Sequence, residues 1–170
     1  NPLSDKMTHL RTSLIQSLLK TADFNNNNGE KDVMLFEIGN VFNKTGVGLK
    51  GINETFQLSG ITLGNMIDAS VHQDTPVKSN FFVVKGVIRN LIDRLHIGVS
   101  ELDVEDDNIK YEKSFLINLN NKTIGLYGKI SQKISKSLNL DIVDIFAFEI
   151  NLDLVIKMIS RSELTYNPII

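Results

Sequence analysis

Cysteine and tryptophan are both absent from these 170 residues, which include only three prolines and four arginines. The missing thiols exclude disulfides, zinc–thiolate centres and cysteine nucleophiles together, and agree with a cytosolic setting. No stretch approaches the ~18 uninterrupted apolar residues of a membrane span, so no membrane partner is expected. Basic residues do not predominate either. Lys and Arg total 18 against 20 Asp and Glu, a net charge of −2, and a free-standing nucleic-acid binder needs a basic footprint to neutralise phosphate. Any work near RNA would draw most of its grip from another domain or subunit. What is present is ordinary globular composition, 42% hydrophobic and 22% charged, at a length that suits a single domain with a real core. The opening Asn1-Pro2, in place of Met, reads as an internal cut, so residues 1–170 are expected to be one domain taken from a longer chain.

Periodicity supplies the elements. Met7 to Leu10 suits a short strand. Leu14, Ile15, Leu18, Leu19 and Ala22 make one apolar stripe at helical spacing, Ser13 and Gln16 fit a capping box, and Asn25 to Gly29 ends the helix. Asp32 to Phe42 is nearly all apolar, as in a strand buried on both faces. The glycines 46, 48 and 51 mark a turn, and Thr55 to Leu63 returns as the second strand of a hairpin. Ala69 to Ser79 reads as polar and irregular. Asn80 caps a second helix to about Ile97, with Val84, Val87, Ile88, Leu91 and Leu95 as its buried stripe and Gly98 as its stop. Val99 to Val104 suits a strand. Phe115 to Leu119 and Thr123 to Ile130 flank a hairpin turn at Asn120 to Lys122. Ser131 to Asn139 is a short helix, Ile142 to Ile150 a strongly apolar strand, and Asp153 to Ser160 a last helix capped by Asn151 or Asp153. Helices interrupt strands irregularly and hairpins adjoin, which predicts an α+β fold with a mostly antiparallel sheet.

Candidate chemistry is sparse. His9, His72 and His96 are far apart, and none has a second ligand at helical spacing, so surface positions suit them better than zinc or a triad. Glu101, Asp103, Glu105, Asp106 and Asp107 lack the glycine and terminal glutamate of a calcium loop and read as a solvated acidic loop. Gly60 and Gly64, with the glycines at 46, 48 and 51, form no phosphate cradle. No serine sits in a nucleophile elbow. Lys129, Lys133 and Lys136 are placed along one side of the third helix, a solvated face by default. The unusual carboxylates are Glu37 and Glu149, each inside an apolar strand. Paired, they would suit acid–base work; satisfied by a neighbouring arginine or backbone N–H, they are structural, which is the preferred reading.

Several segments, in order, resemble the synthetase-like core of the bacterial phenylalanine–tRNA ligase β subunit. The opening NPLSDKMTHLRTSLIQSLLKTADFN is similar to that family's Asn-Pro-Leu-Ser stretch, its Leu/Met-Arg-Thr-Ser-Leu-Leu and the helix ending in Asn. DVMLFEIGNVF resembles its Leu-Phe-Glu-Ile-Gly-x-Val-Phe strand, FQLSGITLGN the strand that follows, and NFFVVKGVIRNLI its Asp-Phe-Phe-x-x-Lys-Gly helix. IGLYGKIS stands where the family has Ile-Gly-x-Leu-Gly-x-Leu-His-Pro, and IFAFEINLDLV resembles Val-Tyr-Ala-Phe-Glu-Leu-Asp-Leu-Asp. Three departures stand out: Tyr111 to Ser114 replaces a Phe-His-Pro-Gly-Arg-like segment, Ser131-Gln132 replaces His-Pro, and Asn80 replaces Asp.

The resemblance implies a class II synthetase-like antiparallel sheet flanked by helices. It also implies a domain that carries no chemistry of its own, the active site belonging to an α subunit in a cytoplasmic α2β2 assembly. ATP and magnesium would be cofactors of the whole enzyme, with none held here, and tRNA binding and editing would belong mainly to other β regions. The arginine census points the same way. Class II adenylate formation uses arginines on two motifs to offset phosphate charge. Here Arg11 lies just before a helix, Arg89 and Arg94 within another, and Arg161 follows no Gly-rich strand. No catalytic, cofactor-binding or metal residue is therefore expected. A large apolar surface is expected instead, as at obligate interfaces. A stand-alone synthetase-like ligase and an unrelated α+β binding module are the alternatives.

Overall fold

A computed structural model describes residues 10–46, 51–67, 75–97, 101–106 (backbone only), 108, 110–119, 121–137 and 144–159. In chain order the elements are α1 (Ile15–Asn27), β1 (Val33–Lys44), β2 (Ile52–Leu63), β3 (Asn65–Ile67), β4 (Val77–Lys78), α2 (Phe81–Arg94), β5 (Glu101–Asp106), β6 (Tyr111–Leu119), β7 (Lys122–Ile130), α3 (Gln132–Ser137), β8 (Ile145–Asn151) and α4 (Leu152–Ile159). Six strands form one antiparallel sheet in the order β1-β2-β8-β7-β6-β5, and β3 and β4 pair separately. The α+β, antiparallel expectation is met, and so are both hairpins.

Strand alternation sends side chains to two faces, each with its own core. On one, α1 lays Ile15, Leu18, Leu19 and Ala22 against Ile61, Leu63 and Ile145. On the other, α2 and α4 cover Leu58, Tyr127, Phe148 and Ile150. Phe81 meets Phe115 and Phe146 edge-on, with centroids 5.5 and 5.0 Å apart, and anchors the start of α2.

The helix ends show what local chemistry decides. Asn80 caps α2 as expected, its Oδ1 accepting from Phe82 N (2.8 Å) and Val83 N (3.0 Å). That helix stops short of the expected end, because His96 adopts a left-handed conformation (φ 54°) before Gly98, which lies outside the described residues. Its buried stripe is Val84, Ile88 and Ile92, whereas Val87 faces solvent. At α1 the capping box does not form: Ile15 N–H donates to Ser13 Oγ (3.2 Å), and the hydroxyl proton goes to Glu149. The far end closes as expected, with Glu30 N–H reaching back to Asn25 O (3.0 Å) and Gly29 at φ 96°. Asn151, of the two candidates, caps α4 through Leu154 N (3.1 Å); Asp153 instead accepts Phe56 N–H (2.9 Å).

Four further expectations need correction. β1 is an edge strand and is not buried on both faces: Met34, Phe36 and Ile38 are 58%, 72% and 50% exposed. Composition alone cannot separate a buried strand from an edge awaiting a cover. Part of the segment expected to be irregular is ordered, since β4 pairs with β3, and the Thr62 and Ser79 hydroxyls meet at 2.5 Å. Lys129 ends β7 and is not on α3, and it bridges Glu112 (3.2 Å) and Asp144 (2.8 Å). The Asp144 hydrogen bond, chiefly, raises the Lys129 pKa. Finally, α3 is shorter than expected. The expected strand at Met7 to Leu10 falls outside the described residues but for Leu10, which is not in a strand.

Candidate functional site

The two carboxylates singled out from the sequence lie in one row of the sheet. Glu37 of β1 faces Ser59 of β2, and Ser59 faces Glu149 of β8. They share the α1 face, but each has its own partners, and they do not form an acid–base pair. Glu37 pairs with Arg11 and accepts a hydrogen bond from Ser17 Oγ (2.5 Å). The guanidinium also donates from Nε to Asn40 O (2.8 Å) and lies over Gly39, where any Cβ would collide with it. This satisfies Glu37 as preferred from the sequence, by a neighbouring arginine.

Glu149 sits in the central strand and is buried. Its Oε1 accepts from Ser13 Oγ (2.6 Å) and Gln57 Nε2 (3.3 Å); its Oε2 accepts from Tyr111 OH (3.3 Å) and pairs with Lys110 Nζ (3.6 Å). Burial, then the negative charge of Glu149 and the hydrogen bond to it, push the Tyr111 hydroxyl pKa well above its ordinary value. Beside Glu149, Gln57 Oε1 and Ser59 Oγ are buried with no partner among the described residues.

A cavity of about 310 Å³ opens on this row. Thr12, Asn43, Thr55, Asn108 and Asn151 line its polar wall, with Lys110 and Glu149 as its charged groups. Gly125 lets the backbone approach closely there: a Cβ at this position would run into the Glu149 carbonyl oxygen and stand 3.0 Å from Ile150 Cα. Among the described residues the cavity thus carries one cation and one carboxylate, already paired, and no guanidinium. Arg11 is committed to Glu37, and Arg89 and Arg94 are exposed on α2, over the opposite face.

The other sequence candidates do not join this site. His96 is exposed at the end of α2, while His9 and His72 lie outside the described residues. So do glycine 48, Arg161 and the side chains at positions 101–107; the backbone of 101–106 is strand β5, paired with β6, and not the expected loop. Among the described residues no group of three or more His, Asp or Glu could hold a metal ion. Gly60 admits the Phe148 ring, and Gly64 takes a positive φ (75°) beside Asp32, so both act sterically. Sequence reasoning missed Lys110, Tyr111, Ser13 and Gln57 as partners of Glu149. Ser13 stands 136 positions from Glu149, and no local spacing signals such a contact.

The fold has known counterparts. Two solved structures of pyrrolysyl-tRNA synthetase from Desulfitobacterium hafniense share the fold. One has a TM-score of 0.65 at 15% identity, covering 86% of this chain and 48% of that one; the other has 0.63 at 17%, covering 92% and 55%. The architecture is therefore class II synthetase-like. Among curated proteins, the phenylalanine–tRNA ligase β subunit of Listeria innocua is 32% identical over 99% of this chain. That of Staphylococcus aureus is 30% identical over 99%. The chain spans about a fifth of their length, 21% and 20% respectively. The model of the phenylalanyl-tRNA synthetase β-chain CLM domain matches residues 1–152. Order of motifs, sheet topology and these matches agree: the chain belongs to the phenylalanyl-tRNA synthetase β-chain CLM domain family.

Proposed function

We propose that this chain is a non-catalytic, structural domain of a phenylalanine–tRNA ligase β subunit, supporting the ATP-dependent attachment of phenylalanine to tRNA by an α subunit in a cytoplasmic α2β2 assembly. One observation carries the reading. Among the described residues, the polar cavity on the sheet has a single cation, Lys110, and it is paired with Glu149. Holding a nucleoside triphosphate through adenylate formation requires preorganised positive charge aimed at the phosphates, and in a low-dielectric site an unbalanced carboxylate opposes it. A lysine already held by a carboxylate leaves little field for a polyanion.

The hydrogen bonds give the same row a structural role. Ser13 and Glu149 tie the start of α1 to the central strand, and Arg11 and Glu37 tie the segment before it to the edge. A domain locked this way suits a rigid platform. With a net charge of −2, its contribution to tRNA binding is small, and other parts of the assembly supply the phosphate contacts. ATP and magnesium belong to the α active site.

ATP–pyrophosphate exchange tests this. The 170-residue domain and the full-length β chain without α are expected to show no phenylalanine-dependent exchange, while the assembled enzyme does. Exchange by either β sample alone would reject the reading and favour a synthetase-like ligase in its own right.

A further inference from the structure

The main core of this domain is open on one side. Between β1 and α2 runs a groove of about 300 Å³. Leu58 and Phe148 form its floor, Met34 and Phe36 one wall, and Val87 and Leu91 the other. Among the described residues no charged one lines it, and its single hydroxyl, on Thr62, is already bonded to Ser79. The floor residues and Val84 belong to the core cluster beneath α2, so the groove is where that core meets solvent.

Layer geometry says what shape is missing. α2 packs over β7 and β8. Helices on a sheet lie about 8–10 Å apart, close to two strand spacings of about 4.8 Å. The next helix beside α2 would therefore lie over β2 and β1, along the groove. α4 also contacts β2, where Asp153 accepts Phe56 N–H, and contributes no residue to the groove lining. Transient interfaces keep a polar rim and mixed composition, whereas a lining without charge is that of a core.

We propose that this groove is filled by an amphipathic helix from the part of the same β-subunit polypeptide that lies outside these 170 residues. The matched stretch is 21% of the length of the Listeria innocua relative, so most of such a polypeptide lies elsewhere. An open core is a cost to the folding domain itself, before any subunit arrives, which favours a cover from its own chain. The helix would present apolar residues at i, i+3 or i+4 and i+7 to Phe36, Ile38 and Val87. The inference rests on family membership and geometry, and it stands whether or not the domain is catalytically silent.

Site-specific photocrosslinking of the full-length β chain tests it, with p-benzoylphenylalanine placed at Phe36 in one variant and at Met34 in another. The expected adduct joins each position to a β-chain peptide outside the 170 residues, in one polypeptide, with or without α. The attachment points of the two variants should fall three or four residues apart. An adduct to α, to a second β copy or to a peptide within residues 1–170 overturns the proposal, as do attachment points two residues apart or no adduct. Peroxide oxidation of the unmodified full-length β chain gives an independent reading. Loss of Met34 oxidation without α supports the cover, and free oxidation of Met34 overturns it. ATP–pyrophosphate exchange is silent on this question, so this inference and the scaffold reading fail separately.

Discussion

Replacing Glu149 by alanine should cost far more than the same change at Glu37, although both lie in a Phe-Glu-Ile triplet on one row of one sheet. At Glu149 the change strips the acceptor from two enclosed donors, Ser13 Oγ at 2.6 Å and Tyr111 OH at 3.3 Å. A buried donor left unmade costs roughly 1–3 kcal/mol. Gln57 and Lys110 line the cavity and can turn to water, which limits the total. The sum is about 3 kcal/mol or more, or roughly 6–12 °C in Tm for a chain of this size. At Glu37 both members of the ion pair are partly exposed, 29% for Glu37 and 42% for Arg11, and exposed pairs contribute about 0–1 kcal/mol. Urea denaturation followed by far-ultraviolet circular dichroism measures both, and adding Ser13→Ala completes a double-mutant cycle. In the Glu149→Ala background the serine change should cost clearly less than in the wild type, because only its bond from Ile15 N–H remains to be lost. Equal costs at the two glutamates, or additive effects of Ser13→Ala and Glu149→Ala, would refute the reasoning.

Two glycines should respond with opposite signs. Gly86→Ala, in α2 with nothing near its Cβ, should stabilise by about 1 kcal/mol. Gly125→Ala must push β7 off the β8 backbone and should cost about 3 kcal/mol or more, both read from urea midpoints. Asn80→Ala removes the α2 cap and should cost about 1 kcal/mol, with Asn80→Ser recovering most of it. Tyr111→Phe should flatten the alkaline limb of stability. The folded Tyr111 pKa lies above its unfolded value of 10.0, so this group's stabilisation is complete below that pH and is lost as pH rises through and beyond it. Thermal melts between about pH 8 and 11 would show the wild type falling more steeply than the variant.

Much of the fold was legible because periodicity and turn chemistry act locally. The α1 stripe, the Asn80 cap, both hairpins and the apolar β8 all follow from residues close in sequence. Burial on one side or two does not. Met34, Phe36 and Ile38 read as core because they are apolar, and only the strand order places them at an edge. The same limit applies at the site. Glu149 was recognisable as an oddity inside an apolar run, but its partners come from positions 13, 57, 110 and 111, which only the tertiary fold assembles. Ser13 gave a local signal, the capping box, yet its Oγ accepts from Ile15 N–H and donates its proton to a distant carboxylate.

Among the described strands, the one that bridges the two halves of the sheet comes last in the chain. β8 lies between β2 and β7, so while a ribosome is still short of Ile145 the N-terminal hairpin and the β5-β6-β7 meander have no common neighbour. Until then β2 and β7 each present an unpaired edge to solvent. Their joining closes a long loop, the slow step that non-local topologies impose. Premature termination a few residues before Ile145 would thus release two sticky fragments of a sheet in place of a slightly shortened domain, and nascent chains at that stage are natural clients for holdase chaperones.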